Sequence, residues 1–308
     1  MNTSSPATPN ERLPYSAIID RPPLSRPDNA RIIVWPIVNV EHWDIARPMA
    51  RQVLPAPTGV TPFPDVPNWA WHEYGMRVGF WRMKALFDKL GVTPTLSING
   101  MVCSSYPRVA QAAHDAGWEF MGHGYIQMPT HAVDDQAEMI ARTVDAIRSF
   151  TGKPPVGWLG PGLTETLDSV DLLHAAGIRY IGDWVLDDEP CRLKTATGPM
   201  VAMPYSVELN DVPMMAVQHH RSEEFYTRVR DSFDRLYMEG EERVRVMAIA
   251  VHPFLSGVPH RIKHLENALT YIAGHEGVRF MTGKQILEWY DQASPVQSGS
   301  ATAHPAGN

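Results

Sequence analysis

Six helical patterns in this chain each stop at a glycine, and most of them lead into a short β-branched or aromatic run. The patterns run from Phe80 to Leu90 before Gly91, Pro107 to Ala116 before Gly117, Asp134 to Phe150 near Gly152, Thr166 to Ala176 before Gly177, Glu223 to Met238 near Gly240, and Arg261 to Ala273 before Gly274. Glycine past the last helical turn accepts the left-handed backbone that ends a helix. Strands are predicted over 31–38, 93–98, 118–121, 156–159, 179–182, 200–204, 246–251 and 278–281. Strands alternating with helices in this way build a parallel sheet with helices packed outside it, here curling into a barrel. No internal sequence repeat accompanies the alternation.

A chain of 308 residues, 44% hydrophobic, can bury one large core, and α/β barrels of this size commonly form one domain. Pro6, Pro9, Pro14, Pro22, Pro23 and Pro27 predict an irregular arm over 1–28, ahead of a barrel over 29–293. The small, polar residues 294–308 are expected to be a disordered tail. A formal charge of −7 supplies no basic stripe for nucleic acid or an anionic membrane, so the expected partner is a small molecule, with a homo-oligomer left open. Neither a lysine-led apolar leader nor a membrane-length apolar run occurs, and the expected location is the cytoplasm. Cys103 and Cys191 are then expected to be two reduced thiols.

Three predicted strands deliver polar chemistry at their carboxyl ends, where barrels collect catalytic groups, and this reads as an enzyme. Trp118-Glu119-Phe120-Met121 runs into Gly122-His123-Gly124, Met247 to Val251 runs into His252-Pro253, and Arg31 to Val38 runs into Asn39-Val40-Glu41-His42. A histidine between glycines has little packing to offer and stands open to a ligand, although a turn histidine satisfied by backbone has the same appearance. Proline after His252 holds the chain extended and turns the ring away from the strand. Glu41 and His42 are consecutive, so only one can aim into the barrel without a bulge; Glu41 is preferred, and His42 is balanced between the two.

Other candidates are weaker. Asp183 follows a predicted strand directly, whereas Asp187, Asp188 and Glu189 read as a solvated loop. Glu73, flanked by Trp71, His72 and Tyr74, precedes a helix and could serve its dipole or a pocket wall. Asn210-Asp211 has the composition of a turn. His219 and His220 read as surface residues, and His131, His174, His260, His264 and His275 as structural.

With these residues in view, the chain resembles the polysaccharide deacetylase superfamily, and within it the branch of cofactor-independent allantoinases and cyclic imide hydrolases. The likeness runs from about residue 30 to 290 and rests on Glu73-Tyr74-Gly75 through Gly79-Phe80-Trp81-Arg82, Gly122-His123-Gly124, Gly157-Trp158, Pro204-Tyr205 with Asn210-Asp211, and Val251-His252-Pro253. It implies a deformed (β/α) barrel with its site at the carboxyl ends of the strands. In the metal-dependent members an aspartate base, an aspartate ligand and two histidine ligands stand where this chain has Asn39, Glu41, His123 and Gln127. An amide cannot accept a proton as a base must, and glutamine is a poor zinc ligand beside imidazole. The inherited metal site is therefore altered at two points, and His42 could restore a ligand. The arginine that related allantoinases carry after Gly-Trp is missing, with Gly162 near its place.

The resemblance and the residues together lead to an intracellular hydrolase of C–N bonds other than peptide bonds, opening a small cyclic amide, imide or ureide. Glu41 would be the general base, with a pKa raised by partial burial, and His252 the acid for the leaving nitrogen. His123 and Asn39 would stabilise the oxyanion. Glu73, Trp158, Asp183, Tyr205 and Asn210 are the expected substrate-binding residues, and Trp43, Trp71, Tyr74 and Trp184 add aromatic surface near the strand ends. No cofactor is expected. A divalent metal such as zinc, if held, would draw on Glu41, His42, His123 and Gln127. The rival readings are a metal-dependent N-deacetylase of sugar or peptidoglycan fragments and an inactive barrel that only binds a small amide or carbohydrate.

Overall fold

The computed structural model describes residues 6–295; expectations for 1–5 and for the tail beyond 295 lie outside the described residues. Among the described residues nine strands form one mixed sheet: β1 (Ile32–Val40), β2 (Thr95–Ile98), β3 (Glu119–Gly122), β4 (Gly157–Trp158), β5 (Tyr180–Ile181), β6 (Cys191–Thr195), β7 (Gly198–Ala202), β8 (Arg245–Val251) and β9 (Val278–Phe280). Their order is β6-β7-β5-β4-β3-β2-β1-β8, with β9 also beside β1. All neighbours are parallel except β6 and β7. β1 is the hub: β8 lines one edge from Ile32↔Arg245 to Val38↔Val251, while the other edge takes β9 at its start and β2 from Ile37 onward.

Closure between the end strands β6 and β8 is incomplete. A single bridge, Asn210 to Ala250, and the bond from Val246 N to Asp188 O (3.0 Å) cross the gap. The protein is thus a single-domain half-barrel wrapped in helices, the deformed barrel that the motifs imply.

Alternation along β1 sorts the core and aims the site. Ile33, Trp35 and Ile37 point inward with Val246, Ala248 and Ala250, whereas Ile32, Val34, Val38 and Val40 pack outward among Phe80, Phe87, Phe225 and Leu269 of the helices. Successive strand residues face opposite sides, so Asn39 and Glu41 extend the inward row to the mouth. The base of the barrel is closed by the Gly283–Ala293 helix, which the sequence patterns did not predict and whose Ile286, Trp289 and Tyr290 join the interior cluster. Its first turn meets a buried polar network. Trp35 Nε1 and Gly283 N donate to Thr95 Oγ1 (2.8 and 3.0 Å), Thr95 Oγ1 and Lys284 N donate to Glu119 Oε2 (2.9 and 3.0 Å), and Tyr180 OH donates to Glu119 Oε1 (2.7 Å). A carboxylate at a helix N-terminus is favourably placed against the dipole.

Two expectations are corrected. The loop after Asp183 leads into β6 with Asp188 exposed as expected, but Glu189 is buried with Arg243 and Arg245 at 3.2 and 3.6 Å, and Arg21 of the amino-terminal arm holds Asp187 at 2.8 Å. Long-range cations, invisible to a local reading, neutralise the acidic run. The second concerns Glu73, which lies within a Val66–Tyr74 helix and not ahead of one.

That helix passes through a π-helical turn, Gly75–Gly79, into the Phe80–Leu90 helix. A Cβ on Gly79 would stand 2.0 Å from Pro253 O, and one on Gly75 2.7 Å from Phe254 N. The two glycines let the helix lie directly on the segment that carries His252. Gly79→Ala should therefore destabilise the protein by about 1–3 kcal/mol through overpacking against backbone, read as a lower midpoint in urea unfolding; an unchanged midpoint would show that the contact is not constraining.

Candidate active site

The mouth of the half-barrel encloses a cavity of about 170 Å³, lined by Asn39, Glu41, Trp43, Arg51, His123, Gln127, Leu159, Gly160, Gly162, Leu163, Tyr205, Val207, Asn210, Val212, Pro213, His252 and Phe254. The volume equals roughly six waters at about 30 Å³ each. A small molecule fits it.

Glu41 is the centre. Its Oε1 stands 3.5 Å from His252 Nε2 and 3.7 Å from His123 Nε2, and Oε2 accepts from Trp43 Nε1 at 2.9 Å. One oxygen atom at an ordinary hydrogen-bonding distance of about 2.8 Å could touch Glu41 and either histidine from the cavity side. Burial alone would raise the Glu41 carboxyl, but the charge of His252, together with its hydrogen bonding, opposes it, and the group is held well below the usual carboxylate range. The expectation of a raised pKa is thus overturned. The cationic imidazole that compensates burial could not be placed there from sequence.

His252 is held from behind by Asp211, which is fully buried. Asp211 Oδ1 takes the ring at Nδ1 (2.6 Å), while Oδ2 accepts from His252 N (2.9 Å) and Ser256 Oγ (2.6 Å). Burial lowers the imidazole, yet Asp211 and then Glu41 more than reverse this and raise it from 6.5 to about 9. His252 is therefore an imidazolium at neutral pH, with Nε2–H aimed at Glu41. His123 is built differently. Its backbone N donates to Ile98 O (3.0 Å), extending the β2–β3 ladder, and its Nδ1 faces the Leu159 carbonyl, which can only accept. Nδ1 therefore carries the proton, and a neutral His123 presents a lone pair at Nε2.

Tyr205 and Asn210 also reach the cavity. Asn210 Nδ2 donates to Tyr205 OH at 2.8 Å, which leaves the phenol proton free to donate elsewhere. Asn39 Nδ2 makes only a long 3.4 Å contact to Val251 O.

Four expected residues lie elsewhere. His42 turns outward, its Nδ1 3.0 Å from Ser105 Oγ and its ring against Tyr106, because it follows the inward-facing Glu41. Trp158 points to the outer cluster of Ile140, Val144 and Val170 for the same reason of alternation. Glu73 accepts from Tyr106 OH on the far side of its helix. Asp183 sits behind the cavity wall, where its Oδ1 accepts from Gly160 N at 2.7 Å; burial and the neighbouring Glu165 push its carboxyl well above its ordinary range. Among the other aromatics, Trp43 lines the cavity, Trp71 packs on Phe254, and Trp184 donates to Glu165 at 2.8 Å.

Sequence reasoning missed Asp211, Arg51 and Phe254. Asp211 had a signal in its place beside Asn210, but only the fold brings it to His252, 41 residues away. His72, buried between Trp43 and Phe254 with ring centroids at 4.1 and 4.3 Å, serves as an aromatic filler, and burial lowers it from 6.5 to about 4.

The donor set fits a metal poorly. His42 is outside the cavity, Gln127 Oε1 accepts from Asn99 Nδ2 at 3.2 Å, and no group of three or more His, Cys, Asp or Glu side chains is arranged to hold a metal among the described residues.

Residues 71–181 match the polysaccharide deacetylase family. A Schizosaccharomyces pombe protein named for the polysaccharide deacetylases is 28% identical over 310 residues, covering 88% of this chain and 94% of that protein. Among solved structures, one from Pseudomonas aeruginosa, also named for the polysaccharide deacetylases, superposes with a TM-score of 0.81 at 27% identity over 90% of this chain and 97% of that one. The PuuE allantoinase structure superposes with a TM-score of 0.82 at 25% identity, over 94% and 99% of the two chains. These matches support the resemblance to the polysaccharide deacetylase superfamily, with an allantoinase among the similar structures.

The Asp211–His252 contact generates a titration prediction. The folded pKa is raised, so the stabilisation is complete below about 6.5, the ordinary histidine value, and is lost as pH rises through about 9. NMR titration should place the His252 ring near 9, and Asp211→Asn should lower its midpoint by at least one unit. A midpoint unmoved by Asp211→Asn would contradict the charge assignment.

Proposed function

We propose that this polysaccharide-deacetylase-like chain is an amidohydrolase that opens a small cyclic amide, imide or ureide. The observation that carries the reading is the pairing of a carboxylate, Glu41, with an imidazolium, His252, 3.5 Å apart in a cavity sized for one small ring. Water held by Glu41, and by the Nε2 lone pair of His123, would attack the ring carbonyl carbon, and Glu41 would take its proton. The new C–O bond forms a tetrahedral intermediate whose oxyanion faces donors from Tyr205 OH and Asn39 Nδ2. The C–N bond then breaks as His252 gives Nε2–H to the leaving nitrogen. His123 would act as a donor to the oxyanion only if doubly protonated, so we assign it to the water.

A carboxylate held as low as Glu41 is a weak base while His252 is charged. As His252 surrenders its proton, the field that suppresses Glu41 disappears, so the two transfers reinforce one another. Proton return from Glu41 to His252 resets the site without a third group. The donor set around the cavity leads us to propose that the reaction uses no resident metal. The flat rings in question have electrophilic carbonyls, and an imide nitrogen is a good leaving group, so the chemistry asks less of a Lewis acid than an N-acetyl sugar would.

A relative in Helicobacter pylori named peptidoglycan deacetylase, 25% identical over 71% of this chain and 85% of that protein, keeps N-deacetylation as the rival reading. A panel of succinimide, maleimide, hydantoin, dihydrouracil and allantoin should show ring opening that survives chelator, while N-acetylglucosamine oligomers release no acetate. Acetate release with every ring inert would reverse the assignment. Glu41→Gln should lower turnover at least about a hundredfold with the fold intact, as for loss of a general base. Turnover should fall as pH rises through about 9, where His252 loses its proton, and Asp211→Asn should move that limb downward. A rate unaffected by Glu41→Gln would remove the carboxylate from the chemistry.

A further inference from the structure

Arg51 is the one lysine or arginine that lines the cavity among the described residues. It comes from the 44–64 segment, far from any strand end, and pairs with no acidic side chain there. Its neighbour Arg47, by contrast, contacts Asp44 at 3.6 Å. The cavity's own carboxylate, Glu41, is already engaged by Trp43, His123 and His252.

The segment bearing Arg51 is pinned by a buried clamp. Asn68 is fully buried; its Oδ1 accepts from Val53 N (2.8 Å) and Leu54 N (3.0 Å), and its Nδ2 donates to Leu54 O (3.0 Å) and to Asp65 Oδ2 (2.8 Å). Trp69 Nε1 adds a bond to Trp43 O at 3.1 Å. Such a clamp spends buried polar groups on an otherwise exposed stretch, since Val53 and Leu54 are 55% and 60% exposed. The geometry gives it a purpose: it presets the loop that carries Arg51 to the cavity wall.

We propose that Arg51 is a specificity residue that binds a carboxylate on the substrate, so that the ring opened by this enzyme is an anionic one. The inference rests on the ring-opening reading for its substrate but not for its binding chemistry. A substrate filling the cavity strips water from the guanidinium, and an unpaired cation in that position is costly. A substrate carboxylate supplies the missing charge and matches the planar donor fork in bidentate fashion. The carbonyl to be attacked then lies toward Glu41 and Tyr205, with the carboxylate toward the mouth.

Two measurements on the full chain decide it. In kinetics with the matched pair hydantoin and hydantoin-5-acetate, kcat/KM should favour the carboxylate by at least about tenfold, chiefly through KM. Arg51→Ala should bring that ratio close to one, and Arg51→Lys should restore part of it. A ratio that Arg51→Ala leaves unchanged overturns the proposal. Calorimetric titration with succinate tests the contact without turnover: saturable binding should weaken at least about tenfold in Arg51→Ala. Succinate that fails to bind, or that binds the variant equally well, overturns the proposal even if neutral rings are opened. If no ring is opened yet succinate binding depends on Arg51, the substrate reading fails and the carboxylate site stands.

Discussion

The alternating charges Asp211, His252 and Glu41 are the interaction on which the site depends. Each of the three is buried, and none could stay ionised there alone, because moving an isolated charge out of water costs several kcal/mol. Asp211 is satisfied by three donors, His252 Nδ1, His252 N and Ser256 Oγ, and in turn keeps the imidazole charged. That charge reverses the effect of burial on Glu41. The arrangement therefore holds a carboxylate and an imidazolium side by side at the cavity and joins their protonation states.

Long-range packing makes the line possible. Asp211 reaches the site because the chain after β7 forms a single bridge, Asn210 to Ala250, across the gap in the half-barrel. The opening in the sheet is thus where the second carboxylate comes in. On the other side, Gly75 and Gly79 let a helix press against Pro253 and Phe254, which holds the segment after β8 in place. Below, the Glu119 network with Thr95, Trp35 and Tyr180 seals the base, so the mouth is the open end of a closed interior.

The altered motif positions acquire a consistent meaning in this setting. Asn39 keeps the inward direction of the base it stands in for but can only offer hydrogen bonds, and Gln127 is tied to Asn99. In the proposed reaction, proton transfer falls to Glu41 and His252. The superpositions on a polysaccharide deacetylase-named structure and on an allantoinase agree in fold, and a fold alone does not choose between their chemistries.

Much of this was legible in the sequence. The apolar run over 31–38 located β1, and strand parity allowed only one of Glu41 and His42 to face inward. The strand-end contexts of His123 and His252 marked the two imidazoles that line the cavity, and glycine stops marked the outer helices. These are local consequences of backbone geometry, so local patterns reveal them. The same alternation, applied to Trp158, would have turned it outward; aromatic character near a strand end was a weaker guide than parity. What only the tertiary structure decided depends on residues distant in sequence. Arg243 and Arg245 bury Glu189, Asp211 charges His252, and the charge on His252 sets Glu41. Protonation is a property of the assembled field, which no window of sequence contains. The orientation of Arg51 belongs to the same class: a proline-rich loop has no period to read, and a clamp built on Asn68 and Asp65 determines where its side chains stand.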